Sequence, residues 1–342
     1  MTAYCIFAVD FKVFPRKLAK SEKFGYSYMD SGTGSIFALM GISAAYLPYN
    51  EKPIWNQFKS LLIHSIPIIL LGTGRPFFIY YTNYTYSITE YGVHWNFFLT
   101  ISVVSILGFF ATKIFSNCLF FFSLIVLIIY ELILKSGLQD FVFNTQRTNI
   151  ITQNIEGIVQ CIGYTICYIL GNDFGNKVRD VQISTNNSSK KVLSFYLLNY
   201  AQNFGLYFFS IYILGSYPSR RLANFGYVFL NNICFSTTLF NYAIFYYLSV
   251  KPFFNSFILS VHNHKLLYFL SANVMVGLFN LKYDGYSFSI SSSITILIIY
   301  FIIAFCIPRL YDFSTKTFMK PKARLLNSKM VEMVDISINY TN

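Results

Sequence analysis

Long apolar runs alternate with short polar segments along almost the whole chain. Runs of this length are typical of membrane-crossing helices, which need about 20 residues. The pattern predicts an all-α fold, a polytopic transmembrane helix bundle of about nine or ten spans. The most hydrophilic interior loop is predicted at 171–191. The spans are predicted at residues 35–47, 61–81, 95–110, 118–134, 155–170, 192–214, 225–250, 266–281 and 290–307.

The chain opens on an apolar segment that is too short to cross a membrane. Only about eight residues precede Asp10, against the roughly 20 that a spanning helix requires. We therefore predict that the first span is truncated, as the end of a longer helix. The remaining runs predict one multi-span membrane domain at residues 1–310, followed by a basic tail at 311–342.

The composition indicates a membrane protein and limits the kinds of partner that we expect. Hydrophobic residues make up 55% of the chain and charged residues 12%, whereas a soluble domain carries roughly 25% charged residues. The net charge of +12 lies in short loops, where basic residues set topology and contact phospholipid headgroups. We therefore expect membrane lipid as a partner and no nucleic acid.

Neither a disulfide nor a metal site is predicted. The six cysteines lie in apolar segments and form no C-x-x-C pair, which favours buried packing residues. His262 and His264, with Lys265, are expected to form a solvated loop cluster, because zinc would need more ligands nearby.

The strongest candidate for chemistry is the polar stretch at residues 8–35, AVDFKVFPRKLAKSEKFGYSYMDSGTGS. A charge cluster between two membrane-type segments can bind an anionic substrate and move its protons. The stretch carries two acids, Asp10 and Asp30, and five basic residues, Lys12, Arg16, Lys17, Lys20 and Lys23.

Asp10 and Lys20 are the candidate catalytic pair. A partly desolvated carboxylate is a better proton acceptor, and an ammonium group stabilises an oxyanion or a phosphate. One continuous helix would separate the two residues by about 15 Å. They meet only if the chain folds back, and Pro15 allows such a break. The alternative is a stop-transfer boundary with snorkelling lysines.

Two charges lie inside apolar runs, where a charge in hydrocarbon is costly and normally faces a partner or a cavity. They are Arg75 and Glu131, and Glu131 is one candidate partner of Arg75. The alternative is a structural ion pair between helices.

The segment TEYGVHWNFF has the highest density of polar residues at the start of any predicted span. Its candidate functional residues are Glu90, His94, Trp95 and Asn96. Glu90 and His94 share a face if the turn is helical, and histidine can act as acid or base near neutral pH. A helix cap with an aromatic interface anchor is the alternative.

Further polar residues lie at the boundaries of later spans. Glu156 in a first helical turn complements the helix dipole, so capping explains it well. Arg220 and Arg221 could hold phosphate or anchor to lipid headgroups. Asn273 and Asn280 lie seven residues apart on one helix face, where interhelical hydrogen bonds are the simplest explanation.

Six motifs occur in one order along the chain: AVDFKVFPRKLAK, MDSGTGS, TEYGVHWNFF, NIEG, SRRLAN and SANVMVGLFN. Together they resemble the inositol acyltransferase of glycosylphosphatidylinositol (GPI) anchor assembly, the phosphatidylinositol-glycan class W family. The resemblance spans residues 8–307. Family members carry further transmembrane helices before the AVDF motif, so it implies a chain truncated at its start relative to the family.

The resemblance implies an activity and a location. The family lies in the endoplasmic reticulum membrane as multi-pass proteins and moves an acyl group from acyl-CoA to the inositol 2-hydroxyl of glucosaminyl-phosphatidylinositol. Acyl-CoA is then a co-substrate, no bound cofactor is expected, and no protein partner is implied. The family's catalytic acid falls on Asp10 and its essential lysine on Lys20. The substrate-binding candidates are Arg16, Lys17, Asp30, Arg75, Glu90, His94, Trp95, Asn96, Glu131, Glu156, Arg220, Arg221 and Asn273.

Two other classes of protein are weighed against an enzyme. A lipid or anion transporter or flippase would use the same basic cluster for binding, without chemistry. A chemoreceptor-like protein would account for the 38 Phe and 28 Tyr residues. It ranks last, because a receptor does not need a basic loop followed by several intramembrane charges.

Overall fold

The computed structural model describes residues 2–46, 53–82, 88–185, 188–248 and 256–318. Within these ranges every regular element is a helix, which confirms the all-α prediction there. A π-helical turn at Leu134–Leu138 joins α5 to α6. The α-helices are α1 (Thr2–Ala8), α2 (Ser31–Tyr46), α3 (Ile54–Thr82), α4 (Phe97–Ile114), α5 (Leu119–Ile133), α6 (Gln139–Asn144), α7 (Ile150–Gln153), α8 (Ile155–Ser184), α9 (Ser189–Tyr212), α10 (Phe225–Leu248), α11 (Ser256–Asn263), α12 (Lys265–Asn280) and α13 (Ile290–Phe318).

Five helical stretches among the described residues are long and apolar enough to cross a membrane. The larger number of spans predicted from the sequence is not confirmed. Helices α2 and α12 have 16 residues each, fewer than the roughly 20 that span a bilayer. The five stretches are Ile54–Gly74, Phe97–Ile114, Leu119–Asn144, Phe225–Leu248 and Ile290–Ser314.

Helix α8 continues to Ser184 through most of the segment that was predicted to be a hydrophilic loop. The prediction was wrong because polar composition reports the surroundings of a segment, not its backbone. On the exposed side of this extension, Lys177 Nζ lies 2.6 Å from Asp173 Oδ2. Oppositely charged residues at this i,i+4 spacing support a helix.

The chain forms two compact units: a middle unit, Lys17–Leu248, and a terminal unit, Met1–Arg16 with Ser249–Asn342. In the middle unit α8 is buried along most of its length and packs on α2, α4 and α5. Its approach to α2 is close because glycines line the contact, as is common between membrane helices. A Cβ on Gly41 would lie 1.9 Å from Tyr168 O, and one on Gly171 would lie 2.2 Å from Ala38 O.

In the terminal unit, aromatic rings pack α1 against α12 and α13. The ring centroid of Phe7 lies 5.0 Å from that of Phe279 and 4.7 Å from that of Tyr300. The Tyr300 hydroxyl also donates a hydrogen bond of 3.0 Å to Ala3 O. These contacts fix the end of α1, from which the polar stretch begins.

Helix α13 passes through residue 310, where a domain boundary was predicted, and ends at Phe318. Residues 319–342 of the predicted basic tail lie outside the described residues, and the domain division stays a prediction. On α13, Asp312 Oδ1 lies 2.7 Å from Nε2 of His264. His264 is therefore only partly solvated, whereas a solvated side chain was predicted, because α13 brings a carboxylate to the start of α12.

The close contact of α2 and α8 predicts that Gly41→Ala lowers the free energy of unfolding by about 1–3 kcal/mol, the usual cost of overpacking. Thermal unfolding of the detergent-solubilised protein measures this. Gly205→Ala on α9 is the matched control, since no described atom lies within 4 Å of a Cβ there. Equal midpoints for Gly41→Ala and the wild type would contradict the packing.

Candidate functional site

Lys20 lies in the loop that precedes α2 and forms an ion pair with Glu90. Lys20 Nζ is 2.5 Å from Glu90 Oε1, and the two side chains are 34% and 28% exposed. The pair is therefore held in place but open to a substrate. Glu90 is also fixed through its backbone, because Gln160 Nε2 on α8 donates to Glu90 O at 2.8 Å.

Asp30, at the end of the same loop, is fully buried. Its Oδ2 accepts hydrogen bonds from Ser21 N at 3.1 Å and Ser27 N at 2.9 Å. Its Oδ1 lies 3.1 Å from Arg220 Nε. The Asp30 carboxylate therefore holds the two ends of the loop together. Lys20 directly precedes Ser21, whose amide is bound by Asp30.

Arg220 is 4% exposed and is surrounded by groups that favour its charged form. Burial lowers the pKa of the Arg220 guanidinium, but the negative charges of Glu90 and Asp30 oppose this effect, and the pKa lies above its usual value. A buried cation is stable only with such partners. Arg220 is thus a permanent positive charge that binds Asp30.

Arg221 binds a second buried carboxylate, that of Glu156 in the first turn of α8. Arg221 Nη2 donates to Glu156 Oε1 at 2.8 Å. Arg147 donates to both oxygens of Glu156, at 2.6 and 3.1 Å. Capping alone therefore does not account for Glu156. Arg147 was missed as a site residue, although its place in a polar stretch just before α8 could have indicated it.

The two arginines lie in the segment without helix that connects α9 to α10, in its buried part, residues 218–224. Ser219 N donates to Asn224 Oδ1 at 2.9 Å, and Ser219 Oγ donates to Lys23 O at 2.5 Å. The Tyr130 hydroxyl donates to Leu222 O at 2.5 Å. Buried backbone outside a helix needs partners for its polar groups, and these hydrogen bonds supply several of them.

The segment directly before α4 is a turn and not a helix, so the condition under which Glu90 and His94 would share a face is not met. Gly92 has a φ of +119°, which ends any helix at this point. The N–H groups of His94 and Trp95 both donate to Asn154 Oδ1, at 2.8 and 2.9 Å. The turn is thereby attached to the start of α8, and the His94 side chain is exposed.

Three other candidates make contacts that support local structure. Asn96 caps the start of α4 with its side-chain oxygen, and Trp95 Nε1 donates to Thr100 Oγ1 at 2.9 Å. Glu131 accepts from Phe225 N at 3.2 Å, where α10 begins. A carboxylate there complements the helix dipole. Substrate binding by these residues stays a prediction.

Asp10 lies in the terminal unit, in the turn after α1. Its Oδ2 accepts a hydrogen bond of 2.8 Å from Asn280 Nδ2. Since α1 ends at Ala8, Asp10 and Lys20 are not on one continuous helix. Arg16 is exposed, and its Cζ lies 4.7 Å from the ring centroid of Tyr286.

The remaining candidates are placed as follows. Lys17 is exposed. Asn273 Nδ2 donates at 2.7 Å to Phe269 O in its own helix, whereas interhelical bonding was expected. Arg75 lies within α3, but its side chain lies outside the described residues, so its pairing with Glu131 is untested.

The described residues define a class of protein, an all-helical membrane protein with charged side chains in its polar loops. The Asp10 carboxylate is held by Asn280, and the Lys20 ammonium is held by Glu90. The family model of GWT1 matches residues 1–310. The chain belongs to the GWT1 family, a family of membrane proteins of GPI biosynthesis. The resemblance drawn from the six motifs is thus confirmed at the level of the family.

Three relatives illustrate the similarity. GPI-anchored wall transfer protein 1 of Schizosaccharomyces pombe is 34% identical, over 89% of this chain and 68% of the relative. The protein of the same name in Kluyveromyces lactis is 31% identical, over 88% and 68%. Phosphatidylinositol-glycan biosynthesis class W protein of Dictyostelium discoideum is 28% identical, over 82% and 64%. The chain therefore spans about two thirds of the length of these relatives.

The shared carboxylate predicts that Glu156→Ala destabilises the protein by about 3–5 kcal/mol, because it leaves Arg221 as an uncompensated buried charge. The thermal midpoint in detergent measures the effect. Asp180→Ala is the control: this exposed carboxylate lies 3.9 Å from Arg179, and such surface pairs contribute at most about 1 kcal/mol. If Glu156→Ala and Asp180→Ala have equal thermal midpoints, the buried pair of Glu156 and Arg221 does not stabilise the protein as assigned.

Proposed function

We propose that the protein is an acyltransferase of GPI-anchor biosynthesis. It moves a fatty acyl group from acyl-CoA to the inositol 2-hydroxyl of glucosaminyl-phosphatidylinositol, in the endoplasmic reticulum membrane. The observation that carries the proposal is the GWT1 family match over residues 1–310, which includes both Asp10 and Lys20. Similar proteins are named for GPI-anchored wall transfer and for phosphatidylinositol-glycan biosynthesis.

Asp10 is the proposed general base. Its carboxylate takes the proton of the inositol hydroxyl while the oxygen attacks the carbonyl carbon of the thioester. The tetrahedral intermediate collapses by breaking the carbon–sulfur bond, and the proton held by Asp10 passes to the departing CoA thiolate. Acyl-CoA supplies an activated acyl group, so the proposal adds no further cofactor.

Lys20 is the proposed electrostatic catalyst. Its ammonium stabilises the oxyanion that develops on the thioester carbonyl, and such groups act best when they are held in place before the reaction. The ion pair of 2.5 Å with Glu90 supports this role, because it limits the motion of a flexible side chain. Glu90 is therefore assigned as a positioning residue for Lys20.

The basic candidate residues fall into two groups, one buried and one exposed. Arg220 and Arg221 already bind Asp30 and Glu156 in buried ion pairs, so we assign them to holding the loop. Arg16 and Lys17 are exposed, and we assign them to the phosphate groups of the substrates.

Asp10→Asn and Lys20→Ala should each lower acyl transfer by about 10²–10⁴-fold, the usual range for a general base or an oxyanion-stabilising group. Membranes that contain each variant are incubated with radiolabelled palmitoyl-CoA and glucosaminyl-phosphatidylinositol, and the labelled lipid is separated and counted. Lys190→Ala, at an exposed lysine on α9, is the control and should retain activity.

Near-normal turnover in either variant, at equal protein level, would refute the assigned roles. A wild-type protein that yields no acylated lipid, yet moves labelled lipid between leaflets, would favour the transporter alternative.

A further inference from the structure

We propose that Asn280 is a positioning residue that orients the Asp10 carboxylate for proton transfer. This inference rests on the proposed function, since it concerns the base of that reaction. It assigns a role to a residue that the sequence indicated only as a helix-packing amide. The contact that carries it is the hydrogen bond of 2.8 Å from Asn280 Nδ2 to Asp10 Oδ2.

The backbone at Asp10 is fixed on two sides. Asp10 N donates to Phe7 O at 3.1 Å in the turn that follows α1. A second turn lies against Asp10 O, because a Cβ on Gly285 would be only 2.4 Å from that oxygen. Only a glycine allows this close approach. The Asp284 side chain holds the second turn by accepting from Tyr286 N at 2.9 Å.

The donor is fixed as firmly as the acceptor. Asn280 is the last residue of α12, and the preceding residue, Phe279, packs in an aromatic cluster. Its ring centroid lies 5.0 Å from that of Phe7 and 5.7 Å from that of Phe11. Both of these rings are buried. The cluster joins the end of α12 to the turn that carries Asp10, so the hydrogen bond links two ordered segments.

The chemistry explains why an amide is suitable here. A carboxylate can rotate about the bond to its Cβ, and a base must present an oxygen to the hydroxyl within hydrogen-bond reach. A neutral N–H donor on Oδ2 limits that rotation. An aspartate at position 280 would instead place a second negative charge against Asp10.

The test compares Asn280→Leu, Asn280→Asp and Asn280→Gln in the full chain. Leu removes the donor at similar size, and Asp replaces it by a like charge. Gln keeps an amide on a side chain that is one methylene longer. We expect Leu and Asp to lower kcat by roughly 10²-fold, the cost of a misplaced group, with KM for palmitoyl-CoA unchanged. Gln should restore part of kcat.

Thr295→Val is the matched control in the same unit. Among the described residues this exposed hydroxyl bonds only within α13, to Ser291 O at 3.1 Å, so its removal should leave kcat unchanged. All values are expressed per folded protein, measured by size-exclusion chromatography, which removes losses due to misfolding.

The outcomes separate this inference from the proposed function. If Asp10→Asn is inactive but Asn280→Leu keeps the wild-type kcat, the positioning role is refuted and the proposed function stands. A higher KM at unchanged kcat would also refute it, because Asn280 would then bind substrate. If Asp10→Asn remains fully active, the proposed function fails, and Asn280 has no base to orient.

Discussion

Two neighbouring arginines in a buried segment without helix are the constraint on which the middle unit depends. Each cation requires a carboxylate, because an uncompensated buried charge costs several kcal/mol. Arg220 Nε lies 3.1 Å from the Asp30 carboxylate, and Arg221 Nη2 lies 2.8 Å from that of Glu156. The two carboxylates come from distant parts of the chain, the loop before α2 and the start of α8. The short segment that carries Arg220 and Arg221 therefore holds both the loop before α2 and the start of α8.

The position of the Lys20 ammonium follows from these attachments. Asp30 accepts hydrogen bonds from two backbone amides of the loop that carries Lys20. The ion pair of Asp30 with Arg220 therefore also fixes the loop backbone. Glu90, the partner of Lys20, lies in a turn that is attached to the start of α8 through Asn154 and Gln160. A flexible lysine is thus paired with a carboxylate whose own backbone is held by Gln160, in a loop whose backbone is held by Asp30. Such a supporting shell is what the role proposed for Lys20 requires.

The sequence predicted the presence of helices more reliably than the partners of its charged residues. Apolar runs predicted helices because apolar side chains must leave water, and buried charges stood out because membranes exclude them. Lys20 and Glu90 are 70 residues apart, so only the folded chain shows that they pair. Arg147 was overlooked because its place in a polar stretch before α8 does not show that it pairs with the buried Glu156. The polar end of α8 was taken for a loop because hydropathy describes surroundings and not helicity.

The most direct test of the central claim is hydrogen–deuterium exchange of residues 17–30 in the wild type and in Arg220→Gln. Asp30 accepts from the Ser21 and Ser27 amides while it is paired with Arg220. Loss of the cation should therefore release the loop. The account predicts that these amides exchange at least about ten-fold faster in the variant while α8 stays protected, as expected for local opening. Unchanged protection of residues 21–27 in Arg220→Gln would contradict it.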